Sequence, residues 1–289
     1  MMAMSRGEKI LQVIIVTTLC LLSIIAIIPV VSVLATSFSS RLPVDMNQVT
    51  LWPIGFTFDS WKYMIFRPDL WKSFGITLFT TIIGTILSLL ITALMAYPLA
   101  KKEFMLGKFL IIAAVITLVL KPPLVPYFLT LREYGLYNNI LVLIFPHVLT
   151  AFNLIIMRTF FKDFPQELEE AAKVEGCGYF RVFFQLVLPL SKPVLATLGL
   201  FYAVVIWNQF QHPVMFIQDP DLFPLQLKIR QFITSESVMP ALMAEERPNY
   251  NEYTLRATAI IFAITPIIMV YPFIQKYFVK GAMLGAVKD

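Results

Sequence analysis

The sequence predicts an all-α, polytopic membrane protein with six transmembrane helices. Composition, apolar run length and the placement of basic residues predict it. Of 289 residues, 58% are hydrophobic and only 14% charged, where a soluble domain carries about 25% charged residues. Mean hydropathy is +0.76. There is too little charge to cover a water-soluble globule, and the apolar content excludes intrinsic disorder. Six stretches approach the roughly 20 apolar residues that a membrane-crossing helix needs.

The first stretch, about residues 10–34, follows a short basic start with Arg6 and Lys9. It exceeds the apolar core of about 7–15 residues found in secretory signals, so it reads as a retained span. The second covers about 73–99 and runs into Lys101 and Lys102. The third, about 109–129, is interrupted by Lys121-Pro122-Pro123 and by Pro126. The fourth covers about 140–160, with Arg158 and Lys162 at its end. A polar, amphipathic connection, 162–192, leads to the fifth, about 193–216. A long polar segment, Gln218 to Leu255, precedes the sixth, about 257–274. Prolines 29, 98, 146, 213, 266 and 272 lie within or beside these runs. Each removes a backbone donor and favours a kink, which membranes tolerate where neighbours or a water-lined cavity satisfy the freed carbonyls.

Six crossings put both termini on one side, and the basic residues say which. Arg6/Lys9, Lys101/Lys102/Lys108, the group from Arg158 to Lys192, and Lys276/Lys280/Lys288 all fall together. Basic residues near span ends mark the cytoplasm. This assignment places 13 Lys+Arg and 8 Asp+Glu inside, and 9 and 10 outside, with Lys121 left in the third span. The net charge of +5 is therefore an orientation signal, and nucleic acid is not an expected partner. Cys20 and Cys177 form no CxxC, and His147 and His212 have no zinc-protease spacing. No GxxxxGK[ST] run exists, so any nucleotide that powers the protein is expected on another chain.

The most informative stretch runs from Asp163 to Gly176. Asp163 is expected to cap a short helix, with Gln166 as its reciprocal partner and Pro165 in the first turn. Glu167, Glu169 and Glu170 crowd the positive end of the helix dipole, and Gly176 suits a left-handed terminating position. A second short helix, about Tyr179 to Val187, carries an apolar stripe of Phe180, Phe183, Phe184 and Val187, and Pro189 is expected to end it.

Glu170-Ala171-Ala172, then Gly176, Leu186 and Leu188-Pro189, resemble the EAA loop of binding-protein-dependent ABC importer permeases. The family usually has Ile where Leu186 stands, and often Asp-Gly-Ala at 175–177 where this chain has Glu175-Gly176-Cys177. Pro165 before the motif, Ser191-Lys192-Pro193 after it and Trp207-Asn208 further on fit the maltose-permease-like branch for carbohydrate uptake. The resemblance implies a type I ABC importer permease fold and a single permease domain over 1–289. It implies that Glu167, Glu170, Ala171, Ala172, Gly176, Leu188 and Pro189 belong to a coupling segment that docks on an ATPase. A bilayer-surface helix would favour Lys and Arg on its polar face, whereas this one is acidic. Also implied are a second, homologous permease subunit, two ATP-binding subunits that hold ATP and Mg, and an extracytoplasmic solute-binding protein. This chain would carry no catalytic residue, cofactor or metal, and would sit in the bacterial inner membrane with both termini cytoplasmic.

Candidate residues on the solute path are Lys121, Asn153, Trp207 and Asn208. An ionisable group inside a span normally faces a cavity or a partner; Lys121 alternatively snorkels to an interface. Asn153 and Asn208, with Gln209 and Gln211, serve either helix–helix hydrogen bonds or solute hydroxyls. Tyr127, Phe152, Tyr202 and Trp207 either stack on sugar rings or pack. The outer segment, with Glu245, Glu246 and Arg247, and the C-terminal Lys280-Gly281-Ala282-Met283 resemble importers of complex oligosaccharides, including acidic polysaccharide fragments. An ion-coupled secondary transporter normally needs intramembrane carboxylates or ion-coordinating broken helices, and here every Asp and Glu falls in a loop or at an end. An intramembrane enzyme would need a catalytic pair that the sequence does not offer.

Overall fold

A computed structural model describes residues 6–234 and 248–286, with side chains as far as Val270 and Pro272. Glu245, Glu246 and Arg247 therefore lie outside the described residues, as do the side chains of Lys276, Lys280 and Lys288. Among the described residues every regular element is helical.

Three helices are long and apolar enough to cross a membrane alone: Lys9–Ser37, Pro68–Ala100 and Glu252–Val270. Two further pairs meet that test only together. Ile140–His147 and Ala151–Lys162 join at a 47° bend, and Tyr179–Leu190 and Lys192–Trp207 at 80°. The remaining apolar helix, Gly107–Val119, has 13 residues, about 20 Å at 1.5 Å per residue, against a hydrocarbon layer of about 30 Å. Lys121-Pro122-Pro123 then interrupts the chain, and a second helix, Leu124–Glu133, follows. The breaks have chemical causes. Pro146 sits in 3-10 turns that start under an Asn139 side-chain cap, and the Thr150 hydroxyl restarts the chain by accepting from the Asn153 amide.

The chain divides into two compact units. One unit contains residues up to Leu70 together with 229–266. Here Asn251 and Thr254 cap the last helix reciprocally: Thr254 N–H donates to Asn251 Oδ1 at 2.8 Å, and Asn251 N–H to Thr254 Oγ1 at 3.0 Å. The Asn251 amide also donates to Asp45 Oδ1 at 2.6 Å. Arg67 donates twice to Asp69 and lies 4.7 Å from the Phe232 ring centroid. Burial works against its charge, but Asp69 and Tyr63 more than offset this and hold its pKa above the usual guanidinium value. The first helix is exposed along its apolar length to Val30, a surface suited to lipid or another membrane chain.

The other unit, 71–228 and 267–289, is built around helix Pro68–Ala100. Ser73, Thr77, Thr80, Ser88 and Thr92 are buried on it at helical spacing, and Gly84 continues the row. Small residues of this kind let membrane helices approach closely. Helix Lys192–Trp207 takes up that space, since a Cβ on Gly84 would fall 2.8 Å from Ile206 Cδ1 and one on Gly199 would fall 3.3 Å from Leu89 Cδ1. Two of the hydroxyls reach other segments: Thr77 accepts from the Leu225 amide at 2.8 Å, and Ser88 donates to the His147 carbonyl at 3.3 Å.

Candidate functional site

Helix Gln166–Val174 lies between two turns. It starts at Pro165, which occupies the N-cap position at φ −57°, ψ 120° with no side-chain cap. This corrects the expected Asp163 cap. Asp163 instead ends the preceding helix, donating its N–H to Thr159 O, because the extended ψ of Pro165 keeps the next helix from beginning earlier. The far end is a Schellman turn: Gly176 at φ +80° donates to Lys173 O at 2.9 Å, and Cys177 donates to Ala172 O at 3.0 Å. Two otherwise orphaned carbonyls are satisfied, and Gly176 takes the left-handed conformation that a Cβ disfavours.

The helix shows one face to solvent and one to the protein. Glu167, Glu170 and Ala171 are exposed, whereas Ala172 is half-buried. Ala172, Cys177, Leu186 and Leu188 pack on a core that includes Ala93, Ala96, Tyr97, Met157, Phe161 and Phe183. Gly176 and Pro189 are exposed. Pro189 does not end its helix, as the sequence had suggested. The chain stays helical to Leu190 and breaks at Ser191. Phe183–Val187 is a π-helical stretch, and this widened turn accommodates the donor that Pro189 lacks inside a run that stays helical to Leu190.

The buried member of the acidic group is Glu169, at 5% relative exposure. It pairs with Lys101, just past the end of helix Pro68–Ala100, and accepts from Tyr97 Oη at 3.3 Å. The Lys101 ammonium lies 4.8 Å from the centroid of the Tyr97 ring. Arg158 reaches the same helix end, donating from Nε to Leu99 O at 2.8 Å, a cation at the negative end of the dipole. The sequence places Glu169 with Glu167 and Glu170 at the positive end of the helix dipole, but the expected coupling segment includes only the latter two. The available signal was its i,i+3 relation to Ala172, which puts the two on one face.

Among the described residues no side-chain hydrogen bond joins the candidate path residues to one another. Lys121 is exposed in the non-helical break and makes no hydrogen bond or ion pair with any described residue. Asn153 is buried in the first turn of its helix. Asn208 ends helix Lys192–Trp207, donating from Nδ2 to Val204 O at 2.9 Å. Trp207 is buried, edge-on to Phe74 at 6.0 Å, and its indole Nε1 has no hydrogen-bond partner among the described residues.

The helix breaks at Asn208 and restarts as Gln211–Phe216. Polar groups collect at this break that the sequence had not brought together. Gln209 donates to Leu143 O at 3.0 Å, and its side chain also interacts with that of His147. Tyr127 Oη lies 2.7 Å from His212 Nε2, and the His147 and His212 rings are 4.7 Å apart. His147 Nε2 is buried beside the Gln209 side chain, and the buried Trp207 Nε1 is left without a partner among the described residues. Such groups in apolar surroundings normally have a partner, so this break is the second place where a function is to be sought.

Known proteins agree with this architecture. Residues 84–283 match the family model described as the binding-protein-dependent transport system inner membrane component. The polygalacturonan/rhamnogalacturonan transport system permease protein YtcP of Bacillus subtilis is 36% identical over 93% of this chain and 95% of its own. Protein LplC of the same organism is 38% identical over 91% of this chain and 90% of its own. A chain from a crystal structure of a bacterial ABC transporter involved in import of the acidic polysaccharide alginate superposes with a TM-score of 0.88. It is 27% identical and covers 96% of this chain and 100% of its own. An all-helical chain with long apolar helices, matched over most of its length to permeases and to an importer fold, belongs to the family of binding-protein-dependent transport system inner membrane components.

Proposed function

We propose that this chain is one of two homologous permease subunits of an ATP-driven importer of oligosaccharides, acidic polysaccharide fragments among them. Two ATP-binding subunits supply ATP and Mg on the cytoplasmic side, and an extracytoplasmic binding protein delivers solute. The chain crosses the inner membrane six times, with both termini in the cytoplasm. The names of its relatives support the solute class: polygalacturonan and rhamnogalacturonan for one, alginate for another.

The observation that carries the reading is the short helix Gln166–Val174. It is closed by Gly176 and offers Glu167, Glu170 and the small Ala171 to solvent. An acidic surface beside an anionic inner leaflet fits a basic protein cleft better than a lipid headgroup. ATP binding closes the ATPases, this helix moves with them, and the spans switch access from outside to inside. On this reading the break at Asn208 lines the solute path, where the indole N–H of Trp207 meets solute hydroxyls.

Co-purification of the tagged chain tests the docking. The wild-type chain brings an ATPase subunit with it. Glu170→Lys reverses a docking charge, and Gly176→Pro forces φ from +80° toward about −65°. Both variants are expected to lose the ATPase and solute uptake together. Retention of both activities in both variants would sink the proposal.

A further inference from the structure

Docking alone does not explain how movement of helix Gln166–Val174 reaches the spans. Its two covalent connections are turns, at Asp163–Pro165 before it and Glu175–Gly178 after it. Turns of this kind absorb rotation. The cross-link to the longest span of the unit is instead non-covalent. Beside the apolar packing of Ala172 and Cys177, its polar part is the buried Glu169 carboxylate, held by Lys101 and by Tyr97 Oη across 68 and 72 residues of sequence.

The surroundings make this link stiff. The Glu169 side chain is only 6% exposed and that of Lys101 25%. The Tyr97 ring packs on Phe183 at 5.2 Å and on Phe161 at 6.1 Å. The end of the span is also gripped by Arg158 through Leu99 O. A buried carboxylate whose cation is withdrawn is left uncompensated, so the helix and the span end move together rather than separate. The exposed acids on the opposite face are free for a partner, so one short helix carries two acidic sets with different tasks.

We infer that Glu169, with Lys101 and Tyr97, is the transmission link of this permease: positioning residues that convert motion of the docked helix into motion of helix Pro68–Ala100. The inference rests on the docking role proposed above. It separates two properties that docking alone would lose together, namely attachment of the ATPase and its coupling to transport.

The test uses the assembled transporter in proteoliposomes. ATPase co-purification, ATP hydrolysis and solute uptake are measured for Glu169→Gln, Lys101→Met and the exchange Lys101→Glu with Glu169→Lys. Lys102→Met removes a neighbouring exposed cation and is the control. Each single change is expected to leave ATPase association intact and to cut solute imported per ATP hydrolysed by at least tenfold. The exchange is expected to restore that ratio to within about threefold, and the control to leave it unchanged. An unaltered ratio in both single variants overturns the link. So does loss of ATPase association in them, since that would make Glu169 part of the docking surface. If the single variants fail to accumulate, the exchange decides: a stable exchanged protein that hydrolyses ATP without transport overturns the inference. Failure of the docking reading is distinguishable, because it would appear as unchanged association in Glu170→Lys and Gly176→Pro.

Discussion

Thr92 Oγ1 and Tyr202 Oη lie 2.6 Å apart, 110 residues apart in sequence, and join the two helices at the centre of the larger unit. The same phenol oxygen accepts from the Thr150 amide at 3.3 Å, where the bent fourth apolar segment restarts. One hydroxyl therefore ties three elements. Tyr202→Phe keeps the ring and strands two polar partners. Interhelical hydrogen bonds in membrane proteins contribute about 0.6 kcal/mol and at most about 1.7. The variant is expected to lose about 1–2 kcal/mol of stability, read as a lower unfolding temperature in detergent. Thr92→Ala should lose about half as much, because Tyr202 keeps its contact with Thr150. Equal stability of Tyr202→Phe and wild type would show that the hydroxyl ties nothing.

Close approach of the same helices gives a second test. A methyl group on Gly84 would sit 2.8 Å from Ile206 Cδ1, the mobile end of a fully buried side chain. Overpacking typically costs about 1–3 kcal/mol, so Gly84→Ala is expected near the lower end and Gly84→Leu well above it. Ile206→Val deletes the opposing methyl and alone costs about 0.5–1.5 kcal/mol. In combination the two should be milder than their sum by at least about 0.5 kcal/mol, a coupling expected only of touching residues. A strictly additive double-mutant cycle would place them apart.

Much of this was legible in the sequence, for reasons that also mark where legibility stops. Apolar run length picks out the long helices because crossing a bilayer sets a length that no other constraint imitates. Gly176 was legible because a left-handed helix end calls for glycine whatever surrounds it. Local chemistry was less reliable where two signals competed. Asp163 and Pro165 both mark a helix start, and the backbone geometry of Pro165 prevails. Pro189 reads as a terminator, yet the π-helical turn before it accommodates its missing donor and the run continues to Leu190. The i,i+3 spacing of Glu169 and Ala172 puts them on one face, but that this face is buried depends on Lys101 and Tyr97, reached only through the tertiary fold. The histidines, far apart in sequence and without metal spacing, come within 4.7 Å of each other for the same reason.

Substitutions at Gly176 separate backbone strain from steric conflict. No atom lies within 4 Å of a Cβ built there, while φ is +80°. The only penalty is conformational, about 1–2 kcal/mol for an ordinary residue, and smaller for Asn, whose side chain bonds locally. Gly176→Asn is expected to retain most uptake, Gly176→Ala less, and Gly176→Val, branched at Cβ, least. Uptake in membranes containing equal amounts of each variant gives the order. If alanine and valine transport as well as glycine, the terminating turn is not required for coupling.

Lys121 provides the test of solute charge. It stands between Val119 and Leu124, in the one break that combines a cation with two prolines, and has no anionic partner among the described residues. A cation at such a point needs water, a lipid phosphate or a solute anion. In a water-filled path at about 4 Å from a uronate carboxylate it would contribute roughly 1 kcal/mol, about fivefold in apparent affinity. Lys121→Gln is therefore expected to raise the half-saturating concentration of an acidic oligosaccharide about fivefold and to leave that of a neutral one of equal length unchanged. Lys121→Glu should widen the difference by a similar factor. Snorkelling to a headgroup predicts a different pattern, in which both solutes are affected alike through insertion or stability. A charge-blind response in both variants would remove Lys121 from the path and leave the polar break at Asn208 as the place to look for solute contact.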